Sequence, residues 1–304
     1  MSSLNSKKIR KAIIPIAGKG TRFLPATKVI PKEVIPIINI PMIYYVVMEA
    51  VEAGLDQIIL VTSKGKNAVA DFFDRHLELE TFLEKKGDKS RLELIRATAE
   101  IARIITVTQK EQLGLGHAIA QVEELIDDGE RFCVLLGDDL IVSQHRPGIG
   151  QLMDISDKYQ DSSVIGVMEV AREEVHKYGV IKGIALPGDP RTHKMSAMVE
   201  KPKAADAPSL LATPGRYVLN KQIFEYLKKI PRGAGGEYQL TDAINAMVQS
   251  HPFYAHQFEG DRFDTGQPVG YLEAVVDFAL KDPELKQDFL KVLKKRLDGN
   301  GVTL

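Results

Sequence analysis

Five short apolar runs rich in β-branched residues punctuate the first half of the chain: Ala12 to Ile16, Gln57 to Thr62, Arg103 to Thr108, Arg131 to Leu136 and Ser163 to Glu169. Between them lie helix-period segments near Met42 to Ala53, Ala68 to Leu83, Gly116 to Leu125 and Gly148 to Tyr159. The runs lack the polar alternation of a strand with one wet face, so each belongs in a parallel sheet covered by helices on both sides. This predicts an α/β fold: a Rossmann-like mixed, mostly parallel sheet flanked by helices. After Glu169 the runs shorten to Gly179 to Leu186, Lys194 to Glu200 and Arg216 to Leu219, broken by Gly and Pro, which predicts a smaller antiparallel portion. No repeat or low-complexity linker divides the chain. One domain over about 8–280 is expected, with a first part at about 8–170 and a second at about 171–270, followed by a tail at 281–304. Leu285, Phe289, Val292 and Leu293 mark one side of a basic amphipathic helix in that tail, suited to packing on its own body or on another subunit.

Charge narrows the partners. Forty basic residues against forty-one acidic ones leave a formal charge of -1, which disfavours nucleic acid or an anionic membrane as the partner. The single cysteine, Cys133, sits in the apolar run Phe132 to Leu136 and reads as a buried small hydrophobe, in keeping with a reducing compartment. Met1 to Lys11 lacks an apolar signal core and no stretch reaches spanning length, so a cytoplasmic location is expected. The charged stretch from Glu78 to Arg103, with Leu79, Phe82, Leu83, Leu92, Ile95 and Ala99 at helical spacing, reads as a solvated helical hairpin without chemistry.

In α/β sheets ligands sit beyond the carboxyl ends of the strands. There the first run flows into Ala17-Gly18-Lys19-Gly20-Thr21-Arg22, followed by Pro25-Ala26-Thr27-Lys28 and Pro31-Lys32-Glu33. Gly18 and Gly20 let backbone N–H groups approach an anion, and Arg22 and Lys32 bring cations, as a triphosphate requires. Phe23 and Leu24 replace the third glycine of a dinucleotide fingerprint, and Thr21-Arg22 replaces the Lys-Ser/Thr of a Walker loop. The fourth run ends on Gly137-Asp138-Asp139, and Phe263-Asp264-Thr265-Gly266 offers another aspartate; two such carboxylates suit a hard cation bound together with substrate phosphates. In Glu200-Lys201-Pro202-Lys203 the carboxylate suits sugar hydroxyls and Lys201 a sugar phosphate, with Pro202 biasing Lys201 toward extended backbone. Gln109 beside Gly114-Leu115-Gly116-His117 pairs an amide suited to a base edge with a glycine loop that admits a flat ring.

The ordered set Gly18-x-Gly-Thr-Arg-Phe-Leu-Pro-Ala-Thr-Lys-x-Ile-Pro-Lys-Glu33, Gly114-Leu-Gly-His117, Gly137-Asp138, Tyr178-Gly179-Val180, Glu200-Lys-Pro-Lys203, Gly215-Arg-Tyr217 and Gln239-Leu-Thr-Asp242 resembles the bacterial UTP:glucose-1-phosphate uridylyltransferases, a family of sugar nucleotidyltransferases. The resemblance runs from about Lys8 to Ala279. It implies a nucleotidyltransferase domain of glycosyltransferase-A-like fold, whose first part binds nucleotide and second part sugar. The implied reaction is in-line attack of glucose 1-phosphate on the α-phosphorus of UTP, giving UDP-glucose and pyrophosphate. It also implies roles: Ala17, Gly18, Gly20, Thr21 and Gly114 at the nucleotide, Glu33 and Gln109 reading uracil, and Arg22 and Lys32 on the phosphates. Asp138 and Asp264 would bind Mg²⁺, Gly179 and Glu200 glucose, Lys201 its phosphate, and Tyr217 would line the sugar side. A homo-oligomer, dimer or tetramer, is expected. The roles of Asp139 and His117 stay open, and a dTTP-dependent thymidylyltransferase or a non-catalytic sugar-nucleotide-binding protein are the alternatives.

Overall fold

Adjacent residues of the apolar runs face opposite cores, which is why those runs carry no polar alternation. Ile13, Ile59 and Phe132 enter one hydrophobic cluster, while Ile14, Ile58 and Cys133 enter the other. The computed structural model describes residues 7–299, the Ala234 side chain apart. Its strands are β1 Lys11–Pro15, β2 Pro36–Ile37, β3 Ile40–Pro41, β4 Gln57–Thr62, β5 Arg103–Thr108, β6 Arg131–Leu135, β7 Asp139–Val142, β8 Ser163–Glu169, β9 Gly179–Leu186, β10 Asp189–Glu200, β11 Leu211–Thr213, β12 Arg216–Asn220, β13 Phe253–Gln257 and β14 Asp261–Asp264. The helices are α1 Met42–Glu52, α2 Asn67–Phe72, α3 Leu77–Lys86, α4 Lys89–Ala99, α5 Leu115–Ala120, α6 Gly148–Lys158, α7 Ile223–Leu227, α8 Leu240–Met247, α9 Pro268–Lys281 and α10 Lys286–Gly299.

Ten strands form one sheet in the order β11-β9-β10-β13-β8-β12-β6-β1-β4-β5. Parallel pairing is concentrated in β6-β1-β4-β5 and recurs between β8 and β13. β12 runs antiparallel between β6 and β8, and the β9–β10 hairpin extends the other end. The chain therefore returns from its second part into the middle of the sheet, and the expected division near residue 170 is not a break in the core. A separate ribbon pairs β14 with β7, setting Asp264 opposite Asp139.

The helix expected over Ala68 to Leu83 divides into α2 and α3. Asp74 and Arg75 lie between them, and His76 starts the second helix, its Nδ1 accepting from Leu79 N at 3.2 Å. The charged segment that follows is the helical hairpin α3–α4, turning at Gly87 (φ 72°), with Arg75 and Arg96 both on the Glu80 carboxylate. The segment expected as one helix over Gly116 to Leu125 is α5 plus a 3-10 turn at Glu123–Leu125. Cys133 is buried, and burial pushes its thiol up. α10 packs against α9 and buries none of its described residues; the expected tail beyond 299 lies outside the described residues, as do residues 1–6. Among the described residues no helix is long and apolar enough to cross a membrane.

One buried group makes stability depend on pH. Burial, helped by Arg191, pulls the His256 imidazole down from 6.5 to about 4, and Thr192 Oγ1 lies 2.8 Å from its Nδ1. The unfolded chain takes up this proton first, so the contribution is complete above pH 6.5 and is lost as pH falls toward 4. At pH 5 the loss is on the order of 2 kcal/mol. Thermal unfolding of the parent and of His256→Asn between pH 7 and 4.5 is expected to give a flatter profile for the variant; parallel profiles would contradict it.

Candidate active site

Beyond the carboxyl ends of β1, β4 and β6 the structure opens three adjoining cavities. The largest, about 860 Å³, reaches from Arg22 and Asp138 to Glu200, Lys201 and Tyr217. It shares Leu115 and Glu237 with a middle cavity of about 430 Å³ walled by Ala17, Gly18, Thr21, Gln109 and Gly114. Gly18, Lys19 and Gln112 pass from there into a third, about 250 Å³, that also meets Lys28, Lys32, Lys64 and Lys66. Motifs more than two hundred residues apart thus face one continuous depression.

The loop after β1 is braced at its glycines. Gly20 takes φ 64° before the 3-10 turn Thr21–Phe23, a conformation glycine adopts without Cβ strain, and its carbonyl accepts from Thr27 Oγ1 at 2.7 Å. Ala17 O accepts from Gln112 Nε2 at 2.7 Å and Ser63 Oγ at 3.2 Å. Gln112, a residue the sequence reading did not single out, therefore fixes the loop and walls two cavities. Arg22 crosses to the far ribbon, Nη1 donating to Gly266 O at 3.4 Å.

Lys32 reaches the first aspartate. Its ammonium pairs with Asp138 Oδ2. Burial works against the charged form of both groups, and their attraction outweighs it, so Asp138 lies below and Lys32 above its ordinary value. Asp264 converges on the same place: a Cβ on Gly266 would lie 2.6 Å from Asp138 Oδ2 and 3.2 Å from Asp264 Oδ1. Among the described residues no group of three or more His, Cys, Asp or Glu side chains forms a metal cage. The carboxylate pair fits a hard divalent cation that takes its remaining oxygens from phosphate and water.

Asp139 and Arg262 complete this end. Arg262 Nε donates to Asp139 Oδ1 at 2.5 Å, its guanidinium stacks 5.2 Å from the Tyr178 ring, and Nη2 lies 3.5 Å from Asp264 Oδ2. Burial pushes Asp139 up to about 7 against the pull of Arg262. Arg262 carried no motif signal; only the β7–β14 pairing brings it in.

At the other end of the large cavity, Gly179 and Glu200 are ladder partners on β9 and β10, and Glu200 Oε2 accepts from Thr241 Oγ1 at 2.6 Å. Lys201 departs from the extended backbone expected before Pro202. Its φ is 45°, because its N–H closes back on Tyr178 O at 2.9 Å where the ladder ends. Tyr217 is buried in the same wall, its hydroxyl pushed up by burial.

Around the middle cavity the structure gives Glu33 and the glycines partners that the motifs do not announce. Glu33 is buried with both oxygens accepting from Lys66 Nζ at 2.8 Å, so its carboxylate is engaged in an ion pair, and it lines none of the three cavities. The glycines of Gly114-Leu115-Gly116 are required by a neighbouring backbone: a Cβ at either would lie 2.8 Å from Tyr238 O. Gln109 stays in the cavity wall. Its Nε2 donates to Gly114 O at 3.2 Å and lies 2.9 Å from His117 Nδ1, so the amide's NH₂ side is the one engaged within the wall. His117 thereby orients Gln109.

A braced glycine loop with cations, a pair of converging carboxylates and a polar cleft at one sheet edge suit an enzyme of phosphoryl-group chemistry on an α/β fold. The chain belongs to the nucleotidyl transferase family, which matches residues 11–280. It is 50% identical to a UTP--glucose-1-phosphate uridylyltransferase of Staphylococcus epidermidis over 96% of this chain and 99% of that one. Another of that name, from Staphylococcus haemolyticus, is 48% identical over 95% and 99%. A crystal structure of UDP-glucose pyrophosphorylase complexed with UDP-glucose superposes with TM-score 0.80 at 41% identity, covering 90% of this chain and all of that one. A UTP-bound UGPase from Acinetobacter baumannii gives 0.84 at 37% identity, covering 94% and 99%.

Proposed function

We propose that this chain is a UTP:glucose-1-phosphate uridylyltransferase, EC 2.7.7.9, making UDP-glucose and pyrophosphate from UTP and glucose 1-phosphate. The observation that carries the reading is the convergence of Lys32 and Asp264 on Asp138, in the wall of the cleft that Glu200 and Lys201 also line. The names of relatives alike over nearly the whole chain support it. The attacking sugar-phosphate oxygen is already anionic, so no general base is needed, and catalysis rests on alignment and charge neutralisation. Uracil enters the middle cavity against Gln109, with the backbone of Ala17, Gly18 and Gly114 around it. Gly20, Thr21, Arg22 and Lys32 receive the phosphates. Gly179, Glu200 and Tyr217 hold glucose, and Lys201 its phosphate. Asp138 and Asp264 would hold Mg²⁺, which when bound spreads the charge of the α-phosphate and the incoming phosphate. A cytoplasmic homo-oligomer, dimer or tetramer, belongs to the same reading.

Purified protein given UTP, glucose 1-phosphate and Mg²⁺ is expected to release pyrophosphate and UDP-glucose in equal amounts. Binding of both without release would replace the enzyme by a sensor. The division of labour is checked at Lys201. Lys201→Ala is expected to raise KM for glucose 1-phosphate about tenfold or more while KM for UTP stays near the parent's, because a single charged hydrogen bond is lost. Equal changes in the two constants would assign Lys201 elsewhere.

A further inference from the structure

The middle residue of Gly215-Arg216-Tyr217 takes no part in the roles above, yet it is the largest fully buried side chain among the described residues. Tyr217 faces the sugar cleft; Arg216, one residue earlier on β12, faces the opposite side of the sheet. Its guanidinium meets the Glu49 carboxylate of α1, Nη2 donating to Oε2 at 2.8 Å and Nε to both oxygens at 3.1 Å. The remaining donors go to main-chain carbonyls on either side of Asp138: Nη2 to Asp139 O at 2.6 Å and Nη1 to Leu136 O at 3.3 Å. Gly215 belongs to the same device. Its carbonyl accepts from Leu136 N at 3.0 Å, and a Cβ there would stand 2.4 Å from Leu136 side-chain atoms. Glu49 is anchored in turn, its Oε1 accepting from Ile149 N at 2.9 Å in the first turn of α6.

The turn from Leu136 to Asp139 is thus held from two sides. Thr265 Oγ1 and Gly266 N donate to Asp138 O at 2.8 and 3.1 Å, while Arg216 takes the flanking carbonyls. A buried ion pair adds little net stability over an apolar filling, whereas its fixed fork of donors sets geometry. We propose that Arg216, locked by Glu49, is a positioning residue that sets where the Asp138 carboxylate stands for the cation and the α-phosphate. The inference rests on the reading of Asp138 as a cation ligand.

Arg216→Lys keeps the charge and loses the fork, since one ammonium cannot serve Glu49 and both carbonyls. The main readout needs no turnover: hydrogen exchange of the Gly137 to Asp139 amides in metal-free protein, against the β1 and β4 amides as internal reference. Exchange at the turn is expected to quicken about tenfold or more with the reference unchanged, and the Mg²⁺ concentration for half-maximal turnover to rise by a similar factor, as for other residues that orient metal ligands. KM for glucose 1-phosphate at saturating Mg²⁺ stays at the parental value. A folded variant with parental exchange and parental Mg²⁺ dependence would overturn the proposal, as would quickening spread evenly over the sheet. If Arg216→Lys does not fold, the near-isosteric Glu49→Gln decides by the same readouts, with shifts of about threefold or more expected and parental values overturning. Asp138→Asn is run alongside. If it too leaves the Mg²⁺ dependence unmoved, the ligand reading of Asp138 has failed; if it alone moves it, the positioning role has failed.

Discussion

Asp138→Asn is expected to lower turnover with UTP and glucose 1-phosphate by about 10²-fold or more while the protein stays folded, because one carboxylate oxygen beside developing charge is lost. The side chain sits where Lys32 and the Gly266 cradle meet, and Asp264 is its partner across that cradle. What keeps the turn folded is the main chain: Asp138 O is held by Thr265 and Gly266, and the neighbouring carbonyls by Arg216. Asparagine has nearly the same volume and preserves all of those bonds. It cannot balance Lys32, so the loop cation loses its partner as well. Turnover against Mg²⁺ concentration, with thermal unfolding of the same preparation, separates the effects. A folded variant with near-parental turnover at saturating Mg²⁺ would remove Asp138 from the centre of the reaction.

The parts legible in the sequence were those fixed by local chemistry. β1, β4, β6 and β8 fall on the apolar runs within a residue or so, because burial on both faces demands continuous apolar residues, and β5 falls on its run although, as the edge strand, it is only partly buried. The glycine loop, Asp138, Asp264, Glu200 and Lys201 lie on one sheet edge because strand ends in such folds converge there. What escaped depended on partners remote in sequence. Glu33 looked available until Lys66, on the loop after β4, closed on it; nothing in Pro31-Lys32-Glu33 announces that partner. The backbone that requires glycine at 114 and 116 is that of Tyr238, more than a hundred residues on, and nothing in Gly114-Leu115-Gly116 names it. Arg262 and Arg216 escaped for the same reason: what turns each inward is a remote pairing, of β14 with β7 and of β12 beside β6, that leaves no mark in the local sequence. The β12 insertion also made the centre of the sheet more antiparallel than alternating strands and helices suggest, since a strand arriving from the second half carries no local mark of its neighbours.

CTP is expected to be used at least about 10³-fold less efficiently than UTP, because a base that brings an acceptor where the site presents an acceptor leaves both unpaired. On the proposed reading Gln109 carries the discrimination. Gly114 O can only accept, so the amide NH₂ must face it, with His117 Nδ1 2.9 Å from the same nitrogen, which leaves Oε1 as the group available to a base. Uracil offers an N3–H to that oxygen, and cytosine offers an N3 lone pair. Glu33, the residue expected to share this task, answers to Lys66 instead. Glu33→Gln is therefore expected to lower stability, by about 3 kcal/mol as one charge of a buried pair is removed, without changing the UTP to CTP ratio. Gln109→Leu is expected to collapse the ratio at least about tenfold, mostly through loss of UTP efficiency. Thymine presents the same edge as uracil, so dTTP passes this test, and any preference against it must come from the C5 side of the cavity. Specificity constants for UTP, dTTP and CTP with the parent and both variants settle the assignment. A parent that accepts CTP as well as UTP, or a Gln109→Leu variant that keeps the parental ratio, would take base reading away from Gln109; a Glu33→Gln variant that loses the ratio while melting like the parent would return it to Glu33.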